Sequence, residues 1–236
     1  LDCTDFSDAV WAEFETSQGD VILSKITAAG CNYRTQKIEV VPAAHSVLAG
    51  LVIDPQGATT LPGLFAAGEN VTGIHGAGRL SGNGLTACVV MGRIAGKNAS
   101  MTARTSPRPN YAPTGAETSD RLDATIRASL IDAMRKAAGK GLGIIRNQSG
   151  VSAARLVFSD IVVKLSPPYH LHPADQDILQ MGILGQLMCD ATARRPESRG
   201  VQCREDAIDT DTKWAKWQIV NQSRDCQYVW TERWMG

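Results

Sequence analysis

Gly68-Glu69-Asn70-Val71-Thr72-Gly73-Ile74-His75-Gly76-Ala77-Gly78-Arg79-Leu80-Ser81-Gly82-Asn83-Gly84-Leu85 places six glycines in 18 residues, among a carboxylate, an imidazole and a guanidinium. Glycine at that density marks backbone that turns sharply or approaches a ligand closely. To its left, Gly63-Leu64-Phe65-Ala66-Ala67-Gly68-Glu69 reads as a short buried strand ending at a polar residue. Asp54-Pro55-Gln56-Gly57 reads as a turn between strands, preceded by the apolar run Val47 to Ile53 and by Pro42-Ala43-Ala44-His45. To its right, a helix is expected to open near Asn83 and run to about Lys97. Half of the 22 glycines lie between Pro42 and Ala99, so this region forms one texture.

The flanks differ. Residues 1–41 carry a helix over Asp20–Ala29 stopped by Gly30, then the extended stretch Lys37-Ile38-Glu39-Val40-Val41 ending at Pro42, and read as the tail of something larger. Residues 100–118 contain Pro107, Pro109 and Pro113 among Ser, Thr and Gly and read as a linker. Beyond it the period becomes helical: Leu122, Ile126, Leu130 and Met134 repeat every four residues behind a Ser119/Asp120 cap and stop at Gly139. Further helices are expected over Val151–Leu165 and Asp175–Arg195, the last ending in two arginines suited to a helix C-terminus. Residues 119–236 are thus expected to form a small helical domain.

Composition narrows the function classes. The chain of 236 residues balances 24 basic against 24 acidic side chains, with 43% hydrophobic positions. Without clustered positive charge it is not expected to bind nucleic acid or an anionic membrane. No apolar run approaches the ~18 residues of a span, and the start Leu1-Asp2-Cys3-Thr4-Asp5 is unlike a basic signal head, so no direct membrane insertion is expected. Cys3, Cys31, Cys88, Cys189, Cys203 and Cys226 form no C-x-x-C pair and read as reduced thiols in the cytoplasm or an equivalent reducing compartment, the matrix side of a membrane complex included. The sequons at Asn70, Asn98, Asn147 and Asn221 read as chance in that setting.

Three motifs carry a family likeness: PAAHS beginning at Pro42, TTLPGLFAAGE ending at Glu69, and HGAGRLSGNGL beginning at His75. In order and spacing they resemble P-x-A-H-Y, T-x-L-P-G-L-[YF]-A-A-G-E and H-G-A-N-R-L-x-G-N-S-L of the fumarate reductase / succinate dehydrogenase flavoprotein family, which includes L-aspartate oxidase. Downstream, Gly143-Ile144-Ile145-Arg146-Asn147 resembles its G-I-I-R segment, and Arg195-Pro196-Glu197-Ser198-Arg199-Gly200 through Arg204-Glu205-Asp206 resembles its R-x-E-S-R-G…R-E-D signature. The resemblance covers roughly Leu23 to Trp217 and likens the chain to the C-terminal portion of these longer flavoproteins.

That resemblance implies an α/β plus all-α fold: residues 1–41 end a capping domain, residues 42–99 are the C-terminal segment of an FAD-binding Rossmann-like domain, and residues 119–236 are the helical domain. The implied cofactor is FAD, contacted by Gly68, Glu69, Asn83, Gly84 and Leu85. Glu69 suits a ribose diol, each charge-assisted hydrogen bond contributing on the order of 1.5–3 kcal/mol. Asn83-Gly84-Leu85 opens a helix whose positive end suits the flavin edge where negative charge collects on reduction. His45 and Arg79 are the implied catalytic and substrate residues, the arginine fork gripping one carboxylate and the imidazole binding at the other end; His75 joins them as a substrate contact. No strand followed by G-x-G-x-x-G occurs, so a second polypeptide carrying the dinucleotide-binding half and cap domain is the expected partner. Further expected partners are a carboxylate-bearing substrate and a separate electron-transfer subunit.

Four positions depart from the pattern: Ser46 for Tyr or Phe, Ala49 for the first glycine of a Gly-Gly turn, Gly78 for Asn, and Gly84 for Ser. They leave room for a substrate bulkier than a four-carbon dicarboxylate. His170-Leu171-His172 has no third ligand at metal-site spacing. Gly92 to Asn98 is one residue short of a phosphate loop, and Trp214, Trp217, Trp230 and Trp234 read as packing or interface anchors. The function expected is hydride transfer between flavin and a carboxylate-bearing substrate; the alternative is a non-catalytic assembly subunit that stabilises a flavoprotein partner.

Overall fold

The computed structural model describes residues 1–17, 20–40, 43, 45–105, 121–166, 171–222 and 227–234. They fall into two compact units, Leu1–His45 and Ser46–Gly236.

In the first unit, α1 (Asp8–Thr16) follows the cap of Ser7, whose side chain accepts from the Val10 amide, and α2 (Asp20–Ala28) ends one residue earlier than the glycine pattern predicts. Gly30 turns the chain with φ of 83°. Trp11 on α1 and Leu23 on α2 are the buried apolar residues. The indole meets Phe6, Phe14 and Tyr33 at centroid distances of 5.5, 6.3 and 5.0 Å. Helix α1 escaped the sequence reading although Ser7-Asp8 is a capping signal and Val10, Trp11 and Phe14 share a helical face. Lys37–Val40, expected as an extended stretch, joins no ladder; Val41 and Pro42 lie outside the described residues.

The second unit begins with turns rather than long strands. Leu51 bridges Val71 in parallel and Ala58 bridges Phe65 antiparallel. The expected Asp54 turn forms, its Oδ1 accepting from the Gln56 and Ala58 amides at 2.9 Å. The strand expected over Gly63–Glu69 does not: after the single Phe65 bridge the chain makes a 3-10 turn at Gly68–Asn70, because Gly68 adopts φ of 72°. Helix α3 (Asn83–Thr105) outruns the expected end at Lys97 and takes the first residues assigned to the linker. Positions 106–120, with the prolines and the Ser119/Asp120 cap, lie outside the described residues.

Beyond them, α4 (Ala124–Gly141) is capped by Asp123, which accepts from the Thr125 and Ile126 amides at 2.8 and 3.3 Å. It packs with α5 (Gln148–Leu165) and α6 (Gln176–Arg194) around Met134, Val151, Phe158, Ile161, Ile178 and Cys189. The short strands β1 (Ile145–Arg146) and β2 (Cys203–Arg204) pair in parallel. One expectation needs correction: residues 119–236 are not wholly helical. An antiparallel hairpin, β3 (Lys216–Gln222) and β4 (Tyr228–Trp234), closes the described chain with Trp217 opposite Arg233 and Val220 opposite Trp230. Its aromatic and β-branched content is a strand signal that the tryptophan-anchor reading passed over. Among the described residues the two sheets are both two-stranded, and no helix is long and apolar enough to cross a membrane.

Candidate functional site

The glycine-rich stretch is shaped by close backbone approaches. The Leu51 amide donates to Asn70 O at 2.8 Å and the Thr72 amide to Leu51 O at 3.1 Å, so residues 50–51 lie beside 70–72. A Cβ at Gly50 would stand 2.3 Å from Asn70 O, which only glycine avoids. The second glycine of the expected Gly-Gly turn is therefore required by geometry, while Ala49 at the first is exposed and tolerated.

Glu69 follows immediately on Gly68. Its Oε1 accepts from the Val47 amide at 2.9 Å, the residue is exposed, and Oε2 takes no hydrogen bond among the described residues. A Cβ at Gly68 would stand 2.9 Å from Cys88 Sγ, which brings the Glu69 turn against α3. The same side of α3 rests on the Asp54 turn: a Cβ at Gly57 would stand 2.6 Å from Ala95 Cβ, and Asn98 Nδ2 donates to Gln56 O at 3.1 Å. The other side is bare. Leu85, Val89, Val90, Ile94 and Met101 are all exposed, Leu85 by 81%, and Ala95 alone is buried on this helix.

Arg79 lies at the start of α3. A Cβ at Gly84 would stand 3.3 Å from its Nη1, so the departure from serine lets the guanidinium rest on the helix opening. Arg79 is half-buried, and Nη1 donates only a long 3.4 Å hydrogen bond to Leu80 O. No carboxylate pairs with it among the described residues. His75, four residues earlier, is also half-buried and makes no ion pair there. His45 is the exposed last residue of the first unit, whereas Glu69, His75, Arg79, Asn83, Gly84 and Leu85 belong to the second.

The loop bearing His75 and Arg79 meets a segment to which the sequence reading assigned no role. Glu197 is fully buried and accepts four hydrogen bonds: Oε1 from Arg195 Nη1 (2.6 Å) and Arg199 Nε (2.7 Å), Oε2 from Arg199 Nη2 (3.0 Å) and the Asp211 amide (2.8 Å). Burial pushes this carboxyl's pKa up, but the Arg199, Asp211 and Arg195 donors outweigh it and hold the group below its usual value. Arg204, also buried, grips Asp206 bidentately at 2.8 Å and donates to Thr192 O at 3.1 Å. The R-x-E-S-R-G…R-E-D signature is thus a charged knot that folds residues 195–211. From it, the Val201 amide donates to Ala77 O at 2.9 Å.

The residues present fit half of a flavin site. Glu69 offers an unengaged carboxylate oxygen, and the opening of α3, after the Asn83 amide that donates to Leu80 O at 3.3 Å, offers the positive end of a helix dipole; neither can cradle a pyrophosphate, for which the sequence has no G-x-G-x-x-G loop. Among the described residues no three His, Cys, Asp or Glu side chains cluster as a metal site.

A family model described as FAD binding domain matches residues 1–85. A fumarate reductase (CoM/CoB) chain of Methanothermobacter marburgensis is 30% identical over 232 residues, covering 89% of this chain and 41% of its own length. L-aspartate oxidase 1 of Ralstonia nicotianae is 31% identical over 191 residues, covering 78% of this chain and 36% of its own. A solved structure of E. coli quinol fumarate reductase shares the fold, with a TM-score of 0.76 and 23% identity over 99% of this chain and 43% of that one. The chain spans about two fifths of the length of the relatives it matches. By sequence the chain carries an FAD binding domain over residues 1–85 and is similar to fumarate reductases and L-aspartate oxidases, and it shares its fold with a quinol fumarate reductase.

Proposed function

We propose that these residues form the substrate-facing portion of an FAD-dependent oxidoreductase that moves a hydride between flavin and a carboxylate-bearing substrate. The observation that carries the reading is Arg79: its guanidinium rests on the opening of α3 with no carboxylate partner among the described residues. A guanidinium held against a helix opening with its fork unengaged by a counter-ion is open to an anion from outside the chain. A substrate carboxylate is that anion, and the planar fork fixes its orientation as well as its charge.

FAD, when bound, supplies two-electron hydride exchange. In this chain Glu69 would hold the ribose diol, Gly68 keeps the backbone close to α3, and Asn83, Gly84 and Leu85 would present the helix start to the flavin. His75 contacts the substrate beside Arg79, and His45 keeps the substrate role that the family resemblance implies. The bare face of α3, from Leu85 to Met101, supports a further part of the reading: it packs against a dinucleotide-binding half that supplies the phosphate-cradling loop and the remainder of the cap domain from residues outside these 236.

The test uses the assembled flavoprotein containing both halves. Arg79→Lys keeps the charge and loses the fork, so flavin content should stay normal while fumarate-driven flavin reoxidation slows roughly 30-fold to several thousand-fold, the range for losing a desolvated bidentate pair. A normal rate at normal flavin occupancy would remove Arg79 from the chemistry and favour a stabilising subunit without turnover.

A further inference from the structure

The loop between Gly73 and Arg79 is gripped at both ends by residues far along the chain. At one end, a Cβ on Gly73 would stand 3.0 Å from Cη2 and Cζ2 of Trp217, so the indole of β3 lies directly on that backbone. At the other, Gly200 sits in the left-handed region at φ of 57°, and a Cβ there would stand 2.0 Å from Ala77 O. The Val201 amide donates to that same oxygen at 2.9 Å. Gly78, next to Arg79, comes within 3.9 Å of Gly200 through its own would-be Cβ.

The Gly200 turn has its own anchors. The Arg199 amide donates to Gln202 O at 2.8 Å and the Gln202 amide returns a bond to Arg199 O at 3.1 Å. Gln202 Nε2 donates to Arg195 O at 3.1 Å, and the Arg199 guanidinium is locked on Glu197 and on Asp211 O at 2.8 Å. A small left-handed turn is thereby fixed to the knot of residues 195–211 and presses its glycine onto the substrate loop.

We propose that this turn and Trp217 clamp the Gly73–Arg79 loop and so position the Arg79 fork, making Gly200 and Trp217 positioning residues for the substrate carboxylate. The proposal rests on the reading of Arg79 given above. The direct grip is on backbone at Gly73 and Ala77, and Arg79 itself has only the long bond to Leu80 O and the contact with Gly84. With so few contacts of its own, the guanidinium takes its placement from the loop that carries it. A misplacement of about 1 Å at such a group can cost on the order of 100-fold in rate, so a clamp on that loop matters to the chemistry.

The experiment is a double-mutant cycle in the assembled flavoprotein, with fumarate as the probe. Gly200→Ala drives a methyl into Ala77 O and should lower kcat/KM by roughly 10–100-fold at unchanged flavin content. In the Arg79→Lys background the same change should add less than about twofold, because the group it positions is already lost. Hydrogen exchange of amides 74–82 should rise at least about fivefold in Gly200→Ala, with exchange in α4–α6 unchanged. Should Gly200→Ala fail to fold, Trp217→Leu releases the other end of the loop and should show the same pattern. Full additivity of the two losses, or unchanged exchange in residues 74–82, overturns the clamp. Unchanged fumarate kinetics in Arg79→Lys alone would instead overturn the reading of Arg79, and the exchange measurement would still decide whether the loop is clamped.

Discussion

Replacing Glu197 by Gln keeps the volume of a fully buried side chain and removes its charge. Each carboxylate oxygen accepts two hydrogen bonds, so the amide nitrogen that replaces one of them faces two donors and leaves both unsatisfied. Two guanidiniums also lose their counter-ion. Breaking a buried ion pair from one side typically costs about 3–5 kcal/mol. The lower end applies here, because Arg195 keeps Trp214 O and Lys216 O, both at 2.6 Å, and Arg199 keeps Asp211 O at 2.8 Å. A loss of about 3 kcal/mol, at a urea dependence of about 2–3 kcal/mol per molar for a chain of this size, moves the unfolding midpoint down by roughly 1 M. Urea titration followed by circular dichroism and by tryptophan fluorescence measures it. A shift below about 0.3 M would refute the assignment of the knot as the organiser of residues 195–211. The sign of the pH dependence follows from the same group. Its folded pKa is lowered, so its contribution is fully present above the unfolded value of about 4.3 and disappears as pH falls through the folded one. The wild-type midpoint should therefore drop below about pH 4, and Glu197→Gln should show a flatter acid limb.

Three further outcomes are expected. Burial pushes the Cys189 thiol up to about 11, with Asp190 adding to the shift, so iodoacetamide at about pH 8 should label exposed Cys203 in the folded protein and Cys189 only after unfolding, as peptide mapping would show. Gly185→Ala puts a methyl 2.4 Å from the buried Phe158 ring between α5 and α6, and thermal or urea unfolding should show a loss of about 1–3 kcal/mol. Glu69→Ala in the assembled flavoprotein should weaken FAD binding by a few kcal/mol, roughly 1.5–3 for each ribose hydrogen bond lost, while α4–α6 keep their stability; flavin titration with unchanged affinity would return Glu69 to the surface.

Local signals were legible because they act over a few residues. The Gly30 stop, the Asp54 turn, α5, α6 and the opening of α3 at Asn83 follow from glycine conformation, side-chain capping and a 3.6-residue period, all of which are written in neighbouring positions. The family motifs were legible for the same reason, since each is a contiguous string: PAAHS, TTLPGLFAAGE and HGAGRLSGNGL carry the residues for which roles are proposed. Local reading erred where two signals competed. Gly63–Glu69 has a strand's apolar content, yet glycines bound it, and the left-handed Gly68 turns the chain before a ladder can form. At residues 216–234 the tryptophans suit packing anchors and strands alike, and the cross-strand register of Trp217, Ile219, Val220, Tyr228, Val229 and Trp230 decides for the strands.

What only the tertiary structure decided is which distant segments touch. Nothing around Gly200 announces that its backbone meets Ala77, far earlier in the chain, or that Trp217 covers Gly73. Glycine at 200 reads as a turn in sequence, and only the approaching carbonyl explains why no other residue fits. The same holds for Glu197: a charged residue between two arginines looks like solvated surface until residues 195–211 close over it and its four donors converge. Side-chain identity sets what a residue can bond to, whereas burial and the chain's return path set what it meets, and the second is a property of the whole fold.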